Sequence, residues 1–179
     1  MTQDHEIMLS VKNGDIHRLG QLFNKYSKGL YNYFKLQLKD SSNSEDLVQN
    51  VFYSILKYRH TYKDGADFKT WMYTIARNEK VNFFKKKKVS NSGIDPELPD
   101  EGKNTPEEDL VNKVDVNHLR LALEGISPDN RELITLYRFS ELSHARIAEI
   151  VGCEVGALKV RMYRAMKELK EKFYKVSGE

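Results

Sequence analysis

Between Tyr58 and Lys88, aromatic and cationic side chains interleave. Tyr58, Arg59, Tyr62, Lys63, Phe68, Trp71, Tyr73, Arg77, Lys80, Phe83 and Phe84 lead into the run Lys85 to Lys88. Aromatic faces stack on unpaired bases while cations hold phosphates, the combination that a single nucleic-acid strand requires. Each aromatic alone suits a helical core equally well, and Phe83 and Phe84 more so than Trp71. The accompanying cations are what point to nucleic acid.

A second set lies between His144 and Tyr163. Ala148 is followed four residues later by Gly152 and six after that by Leu158, with Ile147, Val151 and Cys153 as apolar partners. A helix-turn-helix needs this order: a small residue where two helices cross, a glycine for the tight turn, and an apolar anchor on the second helix. At about 100° per residue from Leu158, Met162, Ala165 and Leu169 fall inward. Lys159, Val160, Tyr163, Arg164 and Lys167 fall on the outward arc, and Arg161 flanks it. From Val155 to Lys175 there are seven Lys/Arg against two Glu. A helix with one apolar and one cationic face, ending such a motif, is suited to a major groove. Val160 and Tyr163 sit where base edges and thymine methyls are reached. Arg164 and Lys167, a turn further on, suit phosphates, while Lys159 and Arg161 suit either role.

Catalytic chemistry finds little support. The histidines (His5, His17, His60, His118, His144) are scattered, and neither a His-Glu-x-x-His run nor a phosphate-binding glycine loop is present. Cys153 is the single cysteine, which excludes internal disulfides and Cys-rich zinc sites. No catalytic residue, metal or cofactor is therefore expected. No apolar run approaches the roughly 18 residues of a membrane span, and Met1 to His5 lack a signal-like pattern. The expected setting is a reducing cytoplasm, without membrane insertion.

The elements that must carry these residues read as helices throughout, with no clean period-2 alternation. Asp15 suits an N-cap before Leu19, Leu22, Phe23 and Tyr26. A second run carries Leu30, Tyr33, Phe34 and Leu38. Ser42 and Glu45 are spaced as a capping box for a third helix bearing Leu47, Val48, Val51, Phe52, Ile55 and Leu56. A fourth helix spans about Phe68 to Lys88, with Met72, Ile75, Ala76 and Phe83 inward. Later, Leu119, Leu123 and Ile126 form a short amphipathic helix, and Ser127-Pro128 starts the next. Charge divides the 179-residue chain: residues 1–88 carry +7, residues 89–116 carry −6, and residues 117–179 carry +2. The acidic block holds three of the four prolines and almost no periodic apolar residues, so it reads as a flexible linker. The expectation is an all-α fold: two small helical domains, 1–88 and 117–179, joined by the acidic linker 89–116. The domains are expected to fold independently, with proteolysis between Ser90 and Glu108 releasing both.

With these residues in place, the chain resembles the ECF-type sigma factors of the sigma-70 class over roughly residues 15–175. Glu45-Asp46-Leu47-Val48-Gln49-Asn50-Val51-Phe52 and Phe68-Lys69-Thr70-Trp71-Met72-Tyr73-Thr74-Ile75-Ala76-Arg77-Asn78 are similar to that family's region-two signatures. Leu142-Ser143 through Arg161-Met162-Tyr163-Arg164-Ala165 resembles its region four. The resemblance implies a dissociable initiation subunit of bacterial RNA polymerase that assists promoter opening. Asp46, Gln49 and Asn50 would dock on the core enzyme. Tyr62, Trp71, Arg77, Asn78, Lys80, Lys85 and Lys86 would hold the single-stranded minus-ten element, with a flipped base in the loop before Phe68. Lys159, Val160, Arg161, Tyr163, Arg164 and Lys167 would read the duplex minus-thirty-five element. The linker would thread toward the RNA exit path, and an anti-sigma factor is a candidate further partner.

Some positions depart from the family pattern. Asn50 stands in place of a usual glutamate, and Arg146 in place of another, which removes the capping-box partner of Ser143. Two other readings stay open on sequence: a helix-turn-helix regulator binding a palindrome as a dimer, and, with less support, an enzyme.

Overall fold

The computed structural model describes residues 2–90 and 110–178, and all regular structure among them is helical. Helix α1, Gln3–Lys12, precedes the first helix read from the sequence. Only Ile7, Met8 and Val11 supply its buried apolar face, a pattern too sparse to stand out. A 3-10 turn at Ile16–Arg18 leads from Asp15 into α2, Leu19–Leu38. The two apolar runs expected here belong to one 20-residue helix. Gly29 lies within it where α2 passes close to α4: a Cβ would lie 3.5 Å from the Tyr73 hydroxyl.

Lys39 takes a left-handed conformation (φ 61°), and Asp40 then caps α3, Ser41–Lys57. Its carboxylate accepts the Asn43 N–H at 3.0 Å. The cap therefore falls two residues ahead of the expected Ser42–Glu45 box. An ionised carboxylate in extended backbone (φ −131°, ψ 121°) is the stronger acceptor for the orphan amides of the first turn. A 3-10 turn at Arg59–Thr61 and a short loop precede α4, Phe68–Ser90. Asp67 caps α4 by accepting the Thr70 N–H at 2.8 Å and its hydroxyl at 2.7 Å.

The second half holds α5 (Leu110–Gly125), α6 (Pro128–Ser140), α7 (His144–Val151) and α8 (Val155–Ser177). Ser127 caps α6 as its sequence suggests, accepting the Asn130 N–H at 3.3 Å. Helix α4 ends and α5 starts inside the stretch assigned to the linker, and residues 91–109 between them lie outside the described residues. Arg131 joins α5 to α6: its guanidinium donates to the carbonyls of Leu123 (2.8 Å), Glu124 (3.0 Å) and Ile126 (3.1 Å). The first two are among the last carbonyls of α5, which a helix leaves without intrahelical partners, and the third lies just past its end.

The two halves share one apolar core. Helix α6 lies on α2 and α7 on α4. Leu133, Leu136, Leu142, Ile147, Ile150, Leu158 and Met162 join Leu30, Tyr33, Phe34, Met72 and Tyr73 in a continuous cluster. A smaller cluster of Ala122, Ile126 and Leu169 ties α5 to α8. Linker composition suggested domains with no joint core, but it carries no information on whether the domains' outer faces match. Here they do.

Candidate nucleic-acid interface

The helix-turn-helix is built as its spacing implies. Ser143 Oγ accepts the Arg146 N–H at 3.4 Å, so the cap forms without a glutamate partner. Gly152 ends α7 in the left-handed region (φ 73°), a conformation that costs other residues but not glycine. The N–H groups of Gly152 and Cys153 both donate to the Ala148 carbonyl, at 2.9 and 3.0 Å. The turn then presents α8 with Leu158, Met162, Ala165 and Leu169 buried against the domain. Lys159, Val160, Tyr163, Arg164 and Lys167 are exposed along the opposite side, and Arg161 is half-buried at its margin. Tyr163 is 72% exposed, a large aromatic surface that burial within this chain does not explain.

On α3, Asp46, Gln49 and Asn50 form an exposed polar stripe opposite buried Leu47, Val48 and Val51. Beside it, Phe23, Ser27, Lys28, Tyr31, Glu45, Val48 and Gln49 line a groove of about 310 Å³ between α2 and α3. The sequence reading did not include this groove, because its α2 side comes from residues that read as ordinary amphipathic helix.

The expected minus-ten residues separate into four groups. Tyr62 is fully buried and is corrected to a core residue: its ring offers no face to a base. Its hydroxyl donates to the Ala66 carbonyl at 2.8 Å and meets His5 Nδ1 at 2.9 Å. Trp71 is half-buried, packed on the rings of Tyr62 (5.1 Å) and Phe68 (6.4 Å). Asn78, Lys85 and Lys86 are exposed along α4.

Arg77 and Lys80 form the fourth group, and both turn toward the second half of the molecule. Lys80 Nζ lies 2.6 Å from Glu132 Oε1 on α6, and Arg77 Nε lies 3.4 Å from the same oxygen. The Tyr33 hydroxyl donates to that oxygen as well, at 2.8 Å. Burial by itself raises the Glu132 carboxyl, but the charge and hydrogen bond of Lys80, then Tyr33 and Arg77, outweigh it and hold the group below the ordinary carboxylate range. Burial and the neighbouring carboxylate push the Tyr33 phenol well above its usual value, which keeps it a neutral donor. Glu132 escaped the sequence reading, since one acid between Arg131 and Leu133 resembles any surface position of an amphipathic helix.

The loop before Phe68 is braced from an unexpected side. His5 Nε2 lies 2.9 Å from Asp64 Oδ1, and Lys12 Nζ donates to the Tyr62 carbonyl at 2.6 Å. Both come from α1.

A helix-turn-helix with an open cationic helix, packed beside a second helical domain bearing its own polar and cationic surfaces, defines the class of helix-turn-helix DNA-binding proteins. Comparison with known proteins divides the chain in the same way. Residues 22–89 match the family model for sigma-70 region 2, and residues 117–169 match that for sigma-70, region 4. The ECF RNA polymerase sigma factor BldN of Streptomyces coelicolor is 29% identical over 167 residues; the match covers 92% of this chain and 63% of BldN. The RNA polymerase sigma factor YlaC of Bacillus subtilis is 27% identical over 161 residues, covering 86% of this chain and 91% of YlaC. Among solved structures, the sigma factor RpoE of Bartonella quintana, crystallised with the anti-sigma factor NepR, superposes with a TM-score of 0.69 at 27% identity. That match covers 86% of this chain and 94% of RpoE. CnrH, in complex with the cytosolic domain of CnrY, shares the fold, with a TM-score of 0.72 at 17% identity over 94% of this chain and 95% of CnrH. The chain belongs to the sigma-70 family as a sigma factor of the ECF type, a protein that directs transcription initiation.

Proposed function

We propose that three separate surfaces of this sigma factor divide the work of promoter-specific initiation. The polar stripe Asp46, Gln49 and Asn50 docks on core RNA polymerase, with the adjoining α2–α3 groove as part of the same contact. Trp71, Arg77, Asn78, Lys80, Lys85 and Lys86 hold the opened minus-ten strand. Lys159, Val160, Arg161, Tyr163, Arg164 and Lys167 read the duplex minus-thirty-five element. Residues 1–88 and 117–179 act as the two promoter-binding units, with 89–116 as the connection between them.

The observation that carries this reading is the division of α8: Leu158, Met162, Ala165 and Leu169 are buried, while the arc holding Val160, Tyr163 and Arg164 is open. That arrangement suits groove contact by base edges and phosphates together. The role is non-catalytic and calls for no cofactor or metal. The proposed place of work is the cytoplasm; among the described residues no helix is long and apolar enough to cross a membrane. The complex of RpoE with NepR supports an anti-sigma factor as a further partner.

The test is reconstitution. Purified chain added to core polymerase is expected to direct run-off transcription from a selected promoter, and to lose it when either the minus-ten or the minus-thirty-five element is scrambled. Autonomous binding of the chain to a palindrome as a dimer, without stimulation of core polymerase, would replace this reading with that of a stand-alone regulator.

A further inference from the structure

Helix α1 has no part in the three proposed surfaces, yet it holds the turn that leads into α4. Lys63-Asp64-Gly65-Ala66 is closed by the Ala66 N–H donating to the Lys63 carbonyl at 3.1 Å, with Gly65 in the left-handed region (φ 75°). A surface turn with few buried contacts opens at little cost. Here one buried side chain restrains it. His5 is only 3% exposed, and the hydrogen-bond partners of its ring all fall within residues 62–66. Nδ1 meets the Tyr62 hydroxyl at 2.9 Å and the Ala66 carbonyl at 3.2 Å. Nε2 lies 2.9 Å from Asp64 Oδ1. A carboxylate oxygen only accepts, so Nε2 carries a proton and donates it to that bond. Further along the same helix, Lys12 holds the Tyr62 carbonyl. Asp4 ties α1 to α2, its carboxylate accepting from Lys25 at 2.7 and 2.8 Å and from the Tyr26 hydroxyl.

We infer that His5 is a positioning residue for reading the minus-ten strand: it fixes the 63–66 turn and the adjoining Trp71 in one arrangement before an unpaired base arrives. The inference rests on the proposed assignment of Trp71 and its neighbours to that strand. Tyr62 couples the turn to the tryptophan, because its hydroxyl bonds to Ala66 and His5 while its ring packs on Trp71 at 5.1 Å. The outer side of this unit is what a strand meets: the Asp64 side chain is 83% exposed, and Trp71 is half-buried. His5 lies beneath and cannot itself reach DNA. Its effect is on how firmly the reading surface is preformed. A turn that must be ordered on binding adapts to several bases at similar cost, whereas a preformed one favours the base that fits it. A histidine that merely filled the core would change binding of every sequence alike.

The experiment uses holoenzyme reconstituted from core polymerase and the full chain. The probes are fluorescent single-stranded minus-ten oligonucleotides in which each base is replaced in turn. His5→Phe keeps a ring of similar shape and removes the hydrogen bonds to the turn. His5→Gln keeps a donor toward Asp64, and Asp64→Ala breaks the brace from its exposed end. His5→Phe and Asp64→Ala are each expected to reduce discrimination at the same base position by about fivefold, with the other positions within about twofold and the double variant no worse than either single one. His5→Gln is expected to retain most of the discrimination. Should His5→Phe not fold, the exposed end decides: Asp64→Asn, which still accepts from Nε2, is expected to keep what Asp64→Ala loses, and equal loss in both overturns the inference. Discrimination lost in Asp64→Ala but intact in folded His5→Phe overturns the positioning role and leaves the minus-ten assignment standing. A uniform loss at all positions in His5→Phe, not recovered in His5→Gln, overturns it likewise. Strand binding that Trp71→Ala and the paired substitution Lys85→Ala with Lys86→Ala both leave unchanged overturns the minus-ten assignment and the inference with it.

Discussion

Arg131 shows how much one side chain contributes when its donors meet several backbone acceptors at a helix end. Its three hydrogen bonds hold the end of α5 against α6. Replacing it by alanine leaves those carbonyls without their partner, at a cost of about 1–3 kcal/mol for a buried group left unmade. Arg131→Lys recovers only part of this, because an ammonium cannot present the planar fork that spans three carbonyls. Thermal unfolding of the two variants checks both statements. On α8 two neighbouring residues are expected to fail in different ways. Arg164→Ala should weaken all minus-thirty-five sequences about equally and flatten the salt dependence by roughly one counterion. Substitution of Val160 should alter which sequence is preferred with little change in salt slope. Holoenzyme binding to a small promoter set at several salt concentrations separates the two; the opposite pattern would mean that α8 lies in the groove in another orientation.

Helix α3 is the element on which a local signal and a functional surface meet. Its first turn depends on Asp40, whose carboxyl is held below its ordinary value, chiefly by the Asn43 backbone N–H. A depressed acid stabilises the fold fully above its unfolded value of 3.8 and loses that contribution as pH falls through the lower folded value. Asp40→Ala should therefore cost about 1 kcal/mol at neutral pH, and the difference between variant and parent should shrink below about pH 4. Denaturant unfolding at pH 7 and pH 3 measures it. The outer side of the same helix should behave in the reverse manner. Asp46→Ala with Gln49→Ala touches no buried group, so stability should move by about 0.5 kcal/mol or less, while capture of core polymerase in a pull-down drops markedly. Unchanged capture by a folded double variant would remove the stripe from the docking surface.

At the scale of the whole molecule, the shared core changes what a cut in the chain should do. Domains tied only by a linker separate once it is cleaved. Here α6 on α2 and α7 on α4 bury apolar and charged groups together. A protease site engineered between residues 91 and 109 should give two fragments that still co-elute on gel filtration at neutral pH. Glu132→Ala leaves Lys80 buried without its counter-charge, a loss of about 3–5 kcal/mol for a broken buried pair, and the nicked halves of that variant should elute apart. Separate elution of the parent fragments would show that the contact does not persist without the covalent tie.

The sequence by itself determined the local structure and the open side of the recognition helix. Helical repeats, the Ser127-Pro128 and Ser143 caps and the glycine at position 152 act within one or two turns of chain, so their consequences follow from neighbours already visible in the sequence. That is why the outward arc from Lys159 to Lys167 was legible in the sequence, whereas Asp46, Gln49 and Asn50 came from the family resemblance. Only the tertiary structure decided the fates of Tyr62, Lys80 and Glu132. Tyr62 is a core residue because α1, from the far end of the domain, closes over it with His5. Lys80 is sealed because an acid 52 positions further along arrives on a different helix. Burial at such positions is set by contacts between distant elements, and no periodicity within a helix encodes which partner will cover its second face.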